Sequence, residues 1–255
     1  MTWLLLRDGP GEPAWNMALD EALLAAAETD GLCALRLYGW GPPALSFGRN
    51  EPALRRYDRG AIGARGLATV RRPTGGRAVW HDREVTYSVS APAATLGSLR
   101  DSYHIIHDLL AEALRSLGAP VVLAADRPAT GVGAGACFAS AAGGEVMTAA
   151  GGKVVGSAQV RTASAFLQHG SILLAAEQDV VAALTLGSAE RPHATGLLEL
   201  VPEGRATADA VCDAVAAEAA RRWRIRASGG PPEAVRRRAE ARLAHYRDDA
   251  WTWRR

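Results

Sequence analysis

Apolar and polar residues alternate in short runs through the first third of the chain and again between residues 146 and 174, whereas other stretches repeat their apolar positions every three to four residues. Alternation sends side chains to the two faces of a strand, and the longer repeat gathers them on one face of a helix. On this pattern residues 3 to 7 form a first strand. PAWNMALDEALLAAAE (13 to 28) is a helix that buries Met17, Leu23, Leu24 and Ala27 and carries Asn16, Asp20 and Glu21 near its start. ALRLYGW and PALSFGR are strands, the first with Leu35 and Leu37 alternating against Arg36 and Tyr38, and EPALRRYDRG is a short helix. ATVRR (68 to 72), AVWH and EVTYSVS are further strands, with Val85, Tyr87 and Val89 in alternation. The clearest helix is SLRDSYHIIHDLLAEALRSLG (98 to 118): Leu99, Tyr103, Ile106, Leu110, Ala113, Leu114 and Leu117 trace one face, Ser98 and Asp101 start it and Gly118 ends it.

PVVLA then reads as a strand, and GVGAGACFASAAGG (131 to 144) as a loop of small residues. EVMTAA and KVVGSAQV flank Gly151-Gly152, the signal of a β-hairpin, and FLQHGSILL is another strand. Two helical stretches, ATADAVCDAVAAEAARRW and PPEAVRRRAEARLAHYRDDAW, close the chain with RIRASGGPP between them. No internal repeat is present, and hairpins mixed with helices predict an α+β domain.

The 255 residues, 48% hydrophobic and 22% charged, suffice for one large domain with a sizeable core. No run approaches the roughly 18 to 20 apolar residues of a membrane span, and MTWLLLRDGP is too short an apolar run for a signal peptide, so a cytoplasmic protein is expected. Cys33, Cys137 and Cys212 form no CxxC pair, which argues against a disulfide framework or a structural zinc site. A net charge of +2 with scattered basic residues gives no reason to expect nucleic acid. One count is informative: of 29 basic residues, Lys153 is the single lysine. Arginine is planar, broad and permanently charged, whereas lysine presents a compact ammonium, so a lone lysine in an arginine-rich chain marks a position where the two are not interchangeable.

GVGAGA lacks the third glycine of a dinucleotide loop, and Met147 stands where a phosphate loop ahead of Gly152-Lys153 needs glycine. His104 and His107 lie three apart on the strongest helix with no third ligand in view, so they read as helix-surface or core histidines and no metal site is expected. Cys137 sits in the small-residue loop ahead of the Lys153 hairpin, where a neighbouring cation would favour the thiolate. Cys33, in a strand, and Cys212, in an alanine-rich helix, read as structural. His81 and His169 fit a base, a donor to a substrate carbonyl or a satisfied partner within a sheet. RRPTGGR (71 to 77) is either a plain turn or a cradle in which Arg71, Arg72, Arg77 and Thr74 surround an anionic or carbonyl-bearing ligand next to the exposed amides of Gly75 and Gly76.

Taken together, WNMALDEALL (15 to 24), PALSFGRNE (43 to 51), RRPTGGRAVWHDREVTYSV (71 to 89), CFAS (137 to 140), GGKVVGSAQVR (151 to 161) and LQHGSILL (167 to 174) resemble, in order and over nearly the whole chain, the lipoate-protein ligase and octanoyltransferase superfamily, related in fold to biotin-protein ligases. The resemblance implies a mixed, largely antiparallel sheet with flanking helices around a narrow tunnel for a medium-chain acyl group. It implies a catalytic domain over residues 1–204 and a C-terminal helical segment over 205–255 packed on the same domain. Arg77 in TGGR, the REVTYS continuation and Cys137 are similar to the cysteine-dependent octanoyltransferases rather than to the ATP-dependent ligases.

That branch implies an acyl group carried on Cys137, with Lys153 hydrogen-bonding its carbonyl. Arg71, Arg72, Thr74, Gly75, Gly76, Arg77, His81, Gly156, Ser157, Ala158 and His169 would form the substrate pocket, with Asn16 and Asp20 behind it. The implied donor is octanoyl-acyl carrier protein, and the acceptor an apo lipoyl domain or the H protein of glycine cleavage. No cofactor and no metal are implied, ATP and magnesium entering only for a ligase, and no nucleic acid or membrane; a monomer is expected. The alternatives within this resemblance are an ATP-dependent lipoate ligase and an amidotransferase between lipoyl proteins. An idle acyl-binding or carrier-binding module is the alternative from another class.

Overall fold

The computed structural model describes residues 1–125, 144–187 and 192–254. Their elements are, in chain order, β1 (Thr2–Gly11), α1 (Pro13–Asp30), β2 (Cys33–Trp40), β3 (Ala44–Phe47), α2 (Ala53–Arg56), α3 (Arg59–Ala64), β4 (Ala68–Arg71), β5 (Val79–His81) and β6 (Glu84–Pro92). They continue with α4 (Leu99–Ser116), β7 (Val121–Leu123), β8 (Val146–Thr148), β9 (Val155–Arg161), β10 (Ala165–Leu173), α5 (Asp179–Ala183), α6 (Ala208–Arg222), β11 (Arg224–Ser228), α7 (Glu233–Arg247) and α8 (Asp249–Thr252).

A six-stranded sheet in the order β11-β1-β2-β6-β10-β9 forms the centre. β11, β1 and β2 run parallel, and β2, β6, β10 and β9 are antiparallel neighbours, so the sheet is mixed as the resemblance implies. The alternation in β6 decides which layer each residue joins. Val85, Tyr87 and Val89 enter the core with Ile106, Leu110 and Leu114 of α4 and Val211 and Val215 of α6. Thr86 and Ser88 face the other way, the Ser88 hydroxyl reaching Asp20 on α1. On that side α1 buries Met17, Leu19 and Leu23 with Val235 and Ala239 of α7. A smaller sheet, β4-β3-β5, lies beside this layer and joins a third core around Phe47, Tyr57 and Trp253.

Local signals account for the element ends. Pro13 opens α1 at a position whose amide needs no helical partner, and Gly31 closes it in the left-handed region at φ 66°. Ser98 and Asp101 form a reciprocal capping box on α4.

Four expectations are corrected. RIRASGGPP is not a mere spacer: residues 224–228 form β11, paired in parallel with β1 at the sheet edge. The segment after residue 204 is therefore helix, strand and helix, sharing both a sheet and a helix layer with the rest. Its strand was hidden because Arg224 and Arg226 are exposed and leave little apolar pattern to read. EPALRRYDRG divides into α2 and α3 because Tyr57 turns extended and Asp58 accepts from the Ala61 amide to start a new helix. In β2, Arg36 and Tyr38 are as buried as Leu35 and Leu37, so the alternation separates two buried layers instead of core from solvent. Leu99, expected on the buried face of α4, is 52% exposed in the first turn. The hairpin ahead of Lys153 is present, with Gly151 at φ 90°, but β8 pairs along its length with β7 and meets Lys153 only in a single bridge to Met147.

Candidate active site

Between the large and the small sheet lies a cavity of about 350 Å³, counting its open mouth. Met17 of α1 and Tyr38 and Trp40 of β2 line it together with Ser46, Arg72, Val79 and His81 of the small sheet and its loops, while Gly156, Ser157, Ala158, His169 and Ser171 contribute the β9–β10 wall. Gly170 keeps this wall thin, because a Cβ there would overlap the Gly156 carbonyl and the Ser157 hydroxyl.

Behind the cavity, a buried carboxylate organises several strands. Asp20, fully buried, accepts from Arg36 Nη1 at 3.0 Å, Tyr38 OH at 2.9 Å, Ser88 Oγ at 2.9 Å and His169 Nδ1 at 2.9 Å. Burial by itself would raise the Asp20 carboxyl; the His169 hydrogen bond and the Arg36 charge outweigh it and hold the group below its ordinary value. With Nδ1–H donated to Asp20, His169 Nε2 accepts from the Thr74 hydroxyl at 2.6 Å. Burial lowers the His169 imidazole, against the pull of Asp20, and so favours this neutral form. Thr74 is itself fully buried, so it anchors the RRPTGG turn to β10 rather than facing a ligand.

A second chain of contacts shapes the small-sheet wall. His81 stacks on Trp40 with ring centroids 4.0 Å apart. Its Nδ1 donates to Glu84 Oε1 at 2.9 Å and its Nε2 accepts from the Ser46 hydroxyl at 2.7 Å. Arg72 Nη1 donates to the Ser46 hydroxyl and carbonyl, while its Nε and Nη2 reach the carbonyls of Gly75 and Arg77. One guanidinium thus fixes the curvature of the whole turn.

The expected pocket residues divide accordingly. Arg72, His81, Gly156, Ser157, Ala158 and His169 line the cavity. Gly75, Gly76 and Arg77 shape the turn outside its lining, two of them through the carbonyls held by Arg72. Arg71 is a correction: it is fully buried and donates to the carbonyls of Gly48, Arg49, Glu51, Trp251, Thr252 and Arg254, away from the cavity. Burial and the nearby Arg254 lower its guanidinium to about 10. Lys153 is 3% exposed and its ammonium lies 2.6 Å from Glu145 Oε1, an oxygen that also accepts from Tyr103 OH at 3.3 Å. Cys137 lies outside the described residues. Of the other thiols, burial raises both Cys33 and Cys212, which leaves them poor nucleophiles.

Several contributors had no motif to announce them. Glu145 and Glu84 stand in strand-end positions, Ser46 in a short strand, and His107 in a helix face with Ile106 and Leu110. The usable signal was polarity at positions the periodicity assigns to the interior: Arg36, Ser46, Thr86, Ser88 and His107 are all buried. Among the described residues no group of three or more His, Cys, Asp or Glu could hold a metal ion, and no helix is long and apolar enough to cross a membrane.

The turn gives a direct test of this geometry. A Cβ on Gly48 would overlap the Gly76 carbonyl, so Gly48→Ala must push the turn away from β3. The expected cost is about 1–3 kcal/mol, read as a fall in urea midpoint; an unchanged midpoint would refute the packing described.

Residues 12–220 match the family described as the lipoyl protein ligase A/B catalytic domain. The chain is 39% identical to the octanoyltransferase LipM of Kyrpidia tusciae over 277 aligned positions, covering 100% of this chain and 99% of that protein. It is 44% identical to the octanoyltransferase LipM of Moorella thermoacetica over 184 positions, covering 70% of this chain and 67% of that protein. Among solved structures, a putative lipoate protein ligase of Thermoplasma acidophilum with bound lipoic acid superposes with a TM-score of 0.82 at 20% identity, covering 99% of this chain and all of that one. A lipoate-protein ligase A bound with ATP gives 0.81 at 20% identity, covering 99% and 98%. These two likenesses establish the fold, and the Kyrpidia tusciae relative extends the likeness to sequence across the full length. With its mixed sheet, its walled cavity and its buried lysine, the chain belongs to the lipoyl protein ligase A/B catalytic domain family, as a member similar to the octanoyltransferases.

Proposed function

We propose that the protein is an acyltransferase of lipoate biosynthesis that moves an octanoyl group from an acyl carrier protein to a lysine of an apo lipoyl domain, through a thioester on Cys137. The observation that carries this reading is the whole-length similarity to an octanoyltransferase, in a chain that keeps a single, buried lysine. The cavity suits an acyl chain: Met17, Tyr38, Trp40 and Val79 offer apolar surface, and each buried CH2 is worth about 0.8 kcal/mol.

In the first step the Cys137 thiolate attacks the donor carbonyl, a new C–S bond forms, and the carrier leaves as a thiolate. In the second, the acceptor lysine amine attacks the same carbonyl, the C–N bond forms, the C–S bond breaks to restore the Cys137 thiolate, and the proton lost by the amine passes to water. Exchange between thioesters is nearly balanced and amide formation runs downhill, so no ATP is consumed. Lys153 serves as the donor to the acyl oxygen where negative charge develops, a role for which its compact ammonium, held by Glu145, is suited.

The test is intact mass after incubation with octanoyl-acyl carrier protein in the absence of ATP. An octanoyl adduct on the wild type and none on Cys137→Ser is the expected result. An unmodified wild type that instead turns over lipoate with ATP would replace this reading by the ligase one.

A further inference from the structure

The register of the small sheet turns Ser46 toward the cavity. β3 pairs with β5 so that Ser46 lies opposite Val79, while Leu45, Phe47 and Trp80 point the other way into the third core. Ser46, Val79 and His81 accordingly all line the cavity. The Ser46 hydroxyl donates to His81 Nε2 at 2.7 Å, and His81 Nδ1 donates to Glu84 Oε1 at 2.9 Å. That carboxylate oxygen is held in place by Thr86 Oγ1 at 2.5 Å and Ser171 Oγ at 2.9 Å. Trp40 Nε1 donates to Thr86 Oγ1 at 2.7 Å, which commits the threonine's own proton to Glu84. A hydroxyl, a base within hydrogen-bond reach of it and a third group that orients the base are the parts of an activated nucleophile. The Asp20–His169–Thr74 chain has the same connectivity and supplies a contrast within the molecule, because Thr74 is not part of the cavity lining. Of the two hydroxyls, Ser46 alone borders open volume. Arg72, also in the lining, brings Nη1 to 3.0 Å from Ser46 Oγ, so a fixed positive charge stands beside the oxygen that would attack.

We infer that Ser46, His81 and Glu84 form a nucleophilic triad that hydrolyses medium-chain carboxylic esters, an activity separate from the transfer proposed above and independent of Cys137. The apolar surface of Met17, Tyr38, Trp40 and Val79 takes the acyl chain of such an ester. The Ser46 O–H bond breaks as its proton passes to His81 Nε2, Oγ bonds to the ester carbonyl carbon, and the bond from that carbon to the alcohol oxygen breaks, the alcohol leaving with the proton from His81. Arg72 Nη1 is the donor for the carbonyl oxygen while it carries negative charge. Water then attacks the Ser46 ester and gives a proton to His81 Nε2; the carbon–Oγ bond breaks, Oγ regains that proton, and the free acid leaves. Glu84 is a positioning residue, since it acts through the orientation of His81.

The experiment uses the full-length Cys137→Ala protein, so that no thiol chemistry at that residue contributes, with two probes: a fluorophosphonate bearing an octyl chain, and p-nitrophenyl octanoate. Intact mass should show one phosphonyl group, and peptide mapping should place it on Ser46. Hydrolysis of p-nitrophenyl octanoate should fall in kcat by about 10²–10⁴-fold when Ser46→Ala or His81→Ala is added, and the two together should be no worse than the poorer single one, because residues that act as a unit are not additive. Glu84→Gln should lower kcat at least about 10-fold with KM changed by less than about threefold, a split that mere loss of packing would not produce. Melting temperatures identify any variant that fails to fold, in which case the labelled residue in the parent protein decides. No label, a label on a residue other than Ser46, or a folded Ser46→Ala protein that hydrolyses the ester at the parent rate would each overturn the inference.

Discussion

Lys153→Arg is expected to lower octanoyl transfer by about 10²–10³-fold, the loss seen when one donor to a developing oxyanion is removed. Charge is conserved in this variant, so the effect isolates shape. The ammonium sits within 2.6 Å of Glu145 in a pocket where both groups are almost wholly shielded from water. A guanidinium is planar and wider, and to keep the ion pair it must displace Tyr103 or, on the role proposed for Lys153, withdraw from the acyl oxygen. The added bulk should also lower the melting temperature by a few degrees, in line with an overpacking cost of about 1–3 kcal/mol. Single-turnover kinetics on octanoyl-loaded protein separates the two effects. Transfer within threefold of wild type would show that Lys153 supplies charge without position, and the significance of the lone lysine would fall.

Arg36→Met is expected to destabilise the protein by about 3–5 kcal/mol, the cost of leaving one member of a buried ion pair without its partner. Arg36 is completely buried, and besides Asp20 it serves Asp8, Asn16 Oδ1 and the Asn16 carbonyl. The dependence on pH carries the diagnosis. In the wild type the Asp20 carboxyl lies below its unfolded value, so its contribution is present above the ordinary carboxylate range and fades only as pH falls through the lowered folded value. Without Arg36, burial has lost one of its main opponents and the charged carboxylate becomes the disfavoured form. The variant should therefore lose more stability at pH 7.5 than at pH 5, and adding Asp20→Asn should recover part of the loss. Urea midpoints at the two pH values decide; an equal deficit at both would mean that Arg36 acts through packing alone.

These two positions also show what could be read without coordinates. Arginine at position 36 reads as the solvent side of an amphipathic strand, since alternation reports a change of face and is silent on whether each face is covered. α1 covers it, and α7, about two hundred residues further along the chain, packs on α1 in turn. The same long-range dependence hid β11, whose exposed arginines conceal a strand that exists because β1 offers it a parallel edge. Helices with strong local signals fared better: α1 and α4 carry their caps within their own sequence. At the site, glycines and short motifs pointed to the turn and to the lysine hairpin; the cavity takes Arg72 and His81 from the first stretch and Ser157 from the second, while His169 comes from β10. Which donor of RRPTGGR faces inward was not legible. Neighbouring arginines share composition, and only the arrival of residues 251–254 beside β4 decides that Arg71 turns outward while Arg72 reaches Ser46.

The contact of Arg71 with residues 251–254 also bears on biosynthesis. The turn at residues 71–77 emerges from the ribosome about 180 residues ahead of the carbonyls of Trp251, Thr252 and Arg254 that complete its anchor. β1, too, gains its outer neighbour only when residues 224–228 have been synthesised. Contacts of such sequence separation form late in folding. A nascent chain thus carries the residues of the cavity wall well before it has the means to lock them in place.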